Sequence, residues 1–166
     1  MPRLILLAVL AGLVGCAPKI NEIAGAYRQA SAPIYSAATL NEARLIGQWA
    51  QVGAFGAKDC GPGRLVFSGA PDALFVTYRL CLSGAEISGN GPMQRSGPGR
   101  YRMPGLGGEL WLLWVDTEAR TLLFGTPSGA YGFVLNRGGP LPADRAQALR
   151  AILDWNGYDA DALTLW

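Results

Sequence analysis

Between positions 47 and 137 glycine and proline cut the chain into short β-branched and aromatic runs. Such punctuation favours many short strands over long helices, because each break supplies turn chemistry rather than helix propagation. The runs predict strands at 45–55, 64–68, 73–82, 86–88, 100–103, 109–116, 121–124 and 131–137. The fourth and fifth are the weakest. Positions 83–98 are Gly-rich and poor in β-formers, so one strand there is expected to be absent or very short.

After position 137 the pattern changes. Ala146, Leu149, Ile152 and Leu153 recur at helical spacing, with Pro142 ahead of them and Asn156-Gly157 behind, which predicts one amphipathic helix over 142–155. A single helix following a strand meander must cover the outside of the sheet. A short last strand at 163–166 then adds to an edge.

Composition narrows the function. The 166 residues suit one domain; half are hydrophobic, 16% are charged and the formal net charge is +2. No stripe of Lys or Arg provides the electrostatic footprint of a nucleic-acid binder, and Arg95, Arg100 and Arg102 read as solvated loop charges. There is no His, no Gly-x-Ser-x-Gly elbow and no cluster of metal-ligand spacing. No catalytic residue, metal or cofactor is therefore expected, and the chain reads as a binding protein rather than an enzyme.

The N-terminus carries targeting chemistry. Arg3 precedes an apolar run at 4–14, the layout of a secretory signal and too short for a comfortable transmembrane helix. The next residues sharpen this: Leu13-Val14-Gly15-Cys16 resembles the bacterial lipobox, which implies removal of residues 1–15 and lipidation of Cys16. Ala17, in place of Asp, implies by the same resemblance an outer-membrane destination; the domain is expected to face the periplasm, though the residues themselves leave the leaflet open. Two or three acyl chains, at about 0.8 kcal/mol per buried methylene, hold a protein to a membrane nearly permanently. Residues 16–44 read as a lipidated tether and N-terminal arm.

Export to an oxidising compartment favours pairing Cys60 with Cys81. A hairpin loop at 69–72 would make facing residues sum to 141, and these two cysteines satisfy that sum. Closing a loop of this size is worth about 3 kcal/mol in the chain-entropy model. No Cys-x-x-Cys is present, so the bridge is a staple and not a redox site.

One motif remains. "LIGQWAQ" places Gly47 and Trp49 as Gly-x-Trp at the start of the first strand, "WVDTEARTLLFGTPSGAYGFVLNR" carries Asp116 at a turn, and Arg137 ends the last strand before the helix. Together these resemble the lipocalin family, most nearly the bacterial outer-membrane lipocalins related to apolipoprotein D. Ala50 stands where the family usually has an aromatic residue. The resemblance implies an all-β fold: an eight-stranded antiparallel up-and-down barrel over 45–137, with residues 138–166 supplying the outer helix and final strand of the same domain. It implies that Trp49 plugs the closed end and that Arg137 stacks on its indole, as structural elements.

A barrel of eight strands has room for its own side chains or for one small ligand. Alternation places Val76 and Tyr78 on the apolar face of the third strand and Tyr131 and Phe133 on one face of the last. Trp111 and Leu113 lie in "LWLLWV", apolar on both faces. These six are the candidate ligand-binding residues. The expected partner is a small apolar molecule, a fatty acid or lysophospholipid, with the membrane reached through the anchor and oligomeric state left open. A ligandless barrel with a structural or interaction role in the envelope is the alternative.

Overall fold

The computed structural model describes residues 27–166. The signal peptide expected at 1–15 and the lipidation expected at Cys16 lie outside them. Nine strands form the wall: β1 (Gly47–Phe55), β2 (Arg64–Ala70), β3 (Ala73–Leu82), β4 (Ala85–Pro92), β5 (Gln94–Gly97), β6 (Arg100–Arg102), β7 (Leu110–Val115), β8 (Thr121–Gly125) and β9 (Gly132–Asn136). A helix, α1 (Ala143–Trp155), and a short strand, β10 (Leu163–Leu165), follow.

The ladder runs β4-β3-β2-β1-β9-β8-β7-β6-β5. Its two ends, β4 and β5, are consecutive in the chain and separated only by Met93, so an antiparallel, nearly closed barrel results. Pro92 cannot donate to a ladder, and there the chain leaves β3 to pair with β6 instead. The expected eight strands thus become nine because one of them bends into two.

That region was read as strand-poor, with only 86–88 and nothing at 94–97. The glycines are there for packing. A Cβ on Gly89 would lie 2.5 Å from the Tyr78 hydroxyl, and Gly89 is Tyr78's partner across the ladder. Glycine makes room for the ring, and pairing along β3 supplies the strand geometry that propensity does not.

The β2–β3 hairpin is tighter than expected. Ala70 faces Ala73, so the loop is Pro71-Asp72 alone and the register sum is 143 rather than 141. The Cys60–Cys81 disulfide still forms, with Cα atoms 5.6 Å apart, because residues 60–63 lie outside the ladder and approach β3 freely. The gap in the ladder is filled by Gln51, which is 1% exposed. Its Oε1 accepts from the amides of Cys81 (2.8 Å) and Gly63 (3.1 Å), and its Nε2 donates to the Cys81 carbonyl (2.8 Å). One side-chain amide replaces a missing peptide unit.

Two apolar layers share the wall. Inside lie Leu65, Val76, Leu80, Leu112, Phe124 and Leu135; outside, Phe55, Leu123 and Val134 pack under Leu149 and Leu153 of α1. β10 pairs with β1 from Gly53 to Phe55, beyond the point where β2 stops. Gly53 is needed there, since a Cβ would come within 2.6 Å of Leu165.

Residues 27–45 are a strap against the barrel rather than a free tether, and a 3-10 turn at Glu42–Leu45 ends it. Replacing Gln51 by Leu should leave three backbone groups unpaired and lower the unfolding free energy by about 2–4 kcal/mol, read from urea denaturation of the oxidised protein.

Candidate functional site

One end of the barrel is corked. Trp49 is 1% exposed, and its Nε1 donates to the Leu45 carbonyl at 2.7 Å. The Arg137 guanidinium carbon sits 3.9 Å from the indole centroid. Its Nη2 donates to the carbonyls of Arg44 (3.0 Å), Leu45 (2.8 Å) and Ile46 (2.8 Å), the end of the 3-10 turn. Cationic charge at that carbonyl cluster is favoured as at any helix C-terminus. Burial pulls the guanidinium below the usual arginine value. Gly47, at φ +122°, holds a backbone conformation that strains any side chain, and a Cβ there would stand 3.6 Å from Arg137 Nη2.

Asp116 works at the same end. Its Oδ1 accepts from the amides of Arg120 (2.7 Å) and Thr121 (2.6 Å), forming the β7–β8 turn, and Arg145 of α1 approaches its Oδ2 at 3.4 Å. The helix is thereby fastened to the base of the barrel.

At the opposite end the 103–109 loop between β6 and β7 folds over the mouth. Met103 and Leu106 are buried. Two interior tyrosines hold the loop from beneath: the Tyr78 hydroxyl donates to the Pro104 carbonyl (2.5 Å) and the Tyr131 hydroxyl to the Gly107 carbonyl (3.0 Å). Val76 and Phe133 lie with them in the interior, and Phe133 stacks on Phe124 with centroids 5.3 Å apart.

Four of the six candidate lining residues therefore meet inside the barrel. Trp111 and Leu113 do not. Leu110 and Leu112 point inward, so Leu113 points outward into the helix-covered layer, and the register shift between Leu112 and Trp114 sends Trp114 outward as well. Trp111 also faces out, with Arg100 stacked 4.0 Å over its ring and Glu109 accepting from its Nε1. In "LWLLWV" the interior face is the one bearing Leu110 and Leu112, and with both faces apolar the strand's own pattern does not tell the two apart.

Sequence reasoning missed Tyr101, Met93, Met103 and Leu106, all buried. Tyr101 points to the base, where its hydroxyl donates to Glu42 at 3.0 Å. Met103 and Leu106 sit in "MPGLGG", and two apolar side chains inside a Pro-Gly loop were the signal that it covers something.

Val76, Leu80, Leu112, Phe133 and Leu135 are 0% exposed, so these side chains pack closely with the mouth shut. An external cleft of about 710 Å³ lies beside Tyr27, Arg28, Trp155 and Tyr158.

Residues 98–166 match the family model of the Lipocalin-like domain. No curated protein is matched by sequence. Among solved structures, the chain is similar to the siderocalin Ex-FABP at 12% identity and TM-score 0.56, over 74% of this chain and 93% of that one. It is similar to the odorant binding protein OBP1 at 12% and 0.55, over 76% and 92%. The major allergen Per a 4 from cockroaches matches at 8% and 0.60, over 82% and 94%. The chain shares a lipocalin-like barrel fold with these structures. The Gly-x-Trp strand, the Asp116 turn and Arg137 form its corked base, and the 103–109 loop lies across its mouth.

Trp49→Ala should cost about 3–5 kcal/mol of unfolding free energy and Arg137→Met about 1–3 kcal/mol, measured by thermal and urea melting; an unchanged midpoint for either would contradict the cork.

Burial raises the hydroxyl pKa of Tyr78, and burial with the adjacent Glu42 carboxylate raises that of Tyr101. Burial pushes Tyr158 up to about 12. A raised tyrosine holds its proton more tightly when folded, so its stabilisation is complete below the unfolded value of about 10 and is lost as pH climbs through the folded values. Stability should be flat to about pH 9 and fall above about pH 10, with tyrosinate absorbance rising together with unfolding.

Proposed function

We propose that the protein is a lipid-anchored lipocalin of the bacterial outer membrane that binds small apolar molecules such as fatty acids or lysophospholipids. The observation that carries this reading is the construction of the mouth. The barrel is shut at one end by a buried indole and at the other by a loop held through two tyrosine hydroxyls. The interior between them is apolar. Similar solved structures include an odorant binding protein and a siderocalin described as functioning through dual ligand specificities.

Magnitudes permit the exchange. Lifting the loop breaks two hydroxyl bonds, about 1 kcal/mol each, and exposes Met103 and Leu106, about 1.5–3 kcal/mol each. An acyl chain burying about ten methylenes returns about 8 kcal/mol. The ligand would have to displace interior side chains as it enters. The close packing of Val76, Leu80, Leu112, Phe133 and Leu135 favours a second reading, a ligandless barrel with a structural role in the envelope.

Anchoring rests on the lipobox-like run ending at Cys16, with Ala17 as the sorting residue. Metabolic labelling with a palmitate analogue should mark the wild type and not Cys16→Ala.

Native mass spectrometry of the purified lipoprotein, with fatty-acid titration of tryptophan fluorescence, tests binding. A saturable change at one ligand per barrel is expected, reached faster in Tyr78→Phe because the loop loses a tie. Absence of both co-purified lipid and saturable change in folded protein would leave the ligandless barrel.

A further inference from the structure

The strap enters the described structure at the mouth, not at the corked base. Tyr27 stacks on Phe55, the last residue of β1, with centroids 5.2 Å apart, and its amide donates to Gly129 in the β8–β9 turn at 3.1 Å. Arg28, 6% exposed, fixes this point. Its guanidinium donates to the carbonyls of Asn156 (2.8 Å), Pro127 (2.9 Å) and Ala32. Only after passing down the outside of the barrel does the chain reach Glu42–Leu45 at the base.

The same end carries paired exposed aromatics. α1 begins at the base, where Arg145 meets Asp116. It ends at the mouth, where the Tyr158 hydroxyl donates to the Thr126 carbonyl at 2.6 Å. Its last residue, Trp155, is 70% exposed, and Tyr35, 52% exposed, lies beside it with ring centroids 6.3 Å apart. An unpartnered Trp-Tyr pair is the composition that settles at the level of lipid headgroups, where the ring is desolvated and its polar edge stays wet.

We propose that this rim is seated on a lipid bilayer, so that the barrel's mouth faces the membrane to which Cys16 is attached. The inference rests on the lipid-anchor reading above. Ten residues, 17–26, separate Cys16 from Tyr27, and even fully extended they span at most about 35 Å. A rim tethered so closely engages lipid at high effective concentration, which turns a weak surface contact into a persistent one. Asp154 and Asp159 border the cleft next to Trp155, which suits a zwitterionic surface better than an anionic one. Among the described residues no helix is long and apolar enough to cross a membrane, so α1 contributes surface contact only. In this orientation an apolar ligand passes between leaflet and barrel under the 103–109 loop without crossing bulk water.

The test uses the full lipidated protein in phosphatidylcholine vesicles with brominated acyl chains, which quench a tryptophan only on contact. Flotation reports the anchor, and bromine-dependent loss of emission reports the orientation. The wild type should float and lose emission, and Trp155→Phe should float with most of that loss abolished; Trp49, corked at the far end, is not quenched. Trp155 is exposed, so the variant should keep the wild-type melting temperature, and Tyr35→Ser provides a second variant with the same expected reduction. Flotation with equal quenching in wild type and both variants would overturn the orientation while leaving the anchor standing. Failure to float would remove the anchor and this proposal with it. Crosslinking of the rim to a second copy, with no bromine quenching, would assign the face to self-association and overturn it as well.

Discussion

The contact between the Arg137 guanidinium and the Trp49 indole holds three separate pieces of chain together. It joins the start of β1, the end of β9 and the 3-10 turn whose carbonyls receive the same guanidinium. β1 and β9 are neighbours in the ladder, so the clamp also fixes the register at which the meander closes on itself. A cation over a tryptophan face gains most where water is excluded, and the indole here is buried. With the base shut this way, any opening of the barrel has to occur at the other end.

The position of the helix follows from the second apolar layer. Val52, Phe55, Leu123 and Val134 alternate with interior residues along their strands and would face water without a cover. α1 supplies it, held at the base by the Arg145–Asp116 pair and at the mouth through Tyr158. β7 alternates Leu110 and Leu112 inward with Trp111 and Leu113 outward, and its bulge adds Trp114 to the outer layer, so one strand serves both cores. Strap, helix and β10 wrap the wall where it is greasiest, while the face of β3 bearing Thr77 and Arg79 is left to solvent.

These features give the molecule a polarity along its axis. The base is fixed by charge-assisted contacts around a buried indole, whereas the mouth is covered by a loop tied through neutral hydroxyl bonds, which are individually weaker. Chain entry, helix C-terminus and exposed aromatics gather at the weaker end. A molecule built to exchange something with its surroundings would place its firm and yielding parts in this order.

Much of the fold was legible because strand alternation and glycine punctuation are local signals. β3 was readable residue for residue, and the helix nearly so, from Pro142 to Asn156. The Gly-x-Trp and terminal Arg were visible as spaced motifs. Val76, Tyr78, Tyr131 and Phe133 could be assigned to the interior because their strands keep a period of two. Trp111 and Leu113 could not, since "LWLLWV" is apolar on both faces and alternation alone does not say which face turns inward. β5 and the part of β4 beyond 86–88 were hidden because glycine looks like a strand breaker until Tyr78 is seen lying against Gly89.

By itself, then, the order of residues determined the strand-rich class, the outer helix, the cysteine pair and the chemistry of the interior, all of which depend on neighbours in the chain. Tertiary structure alone decided the two-residue hairpin register, the amide of Gln51 standing in for a missing rung, the loop over the mouth and the end at which the strap arrives. Each of those is a contact between segments far apart in sequence, set by where space and unpaired backbone groups remain once the barrel has closed.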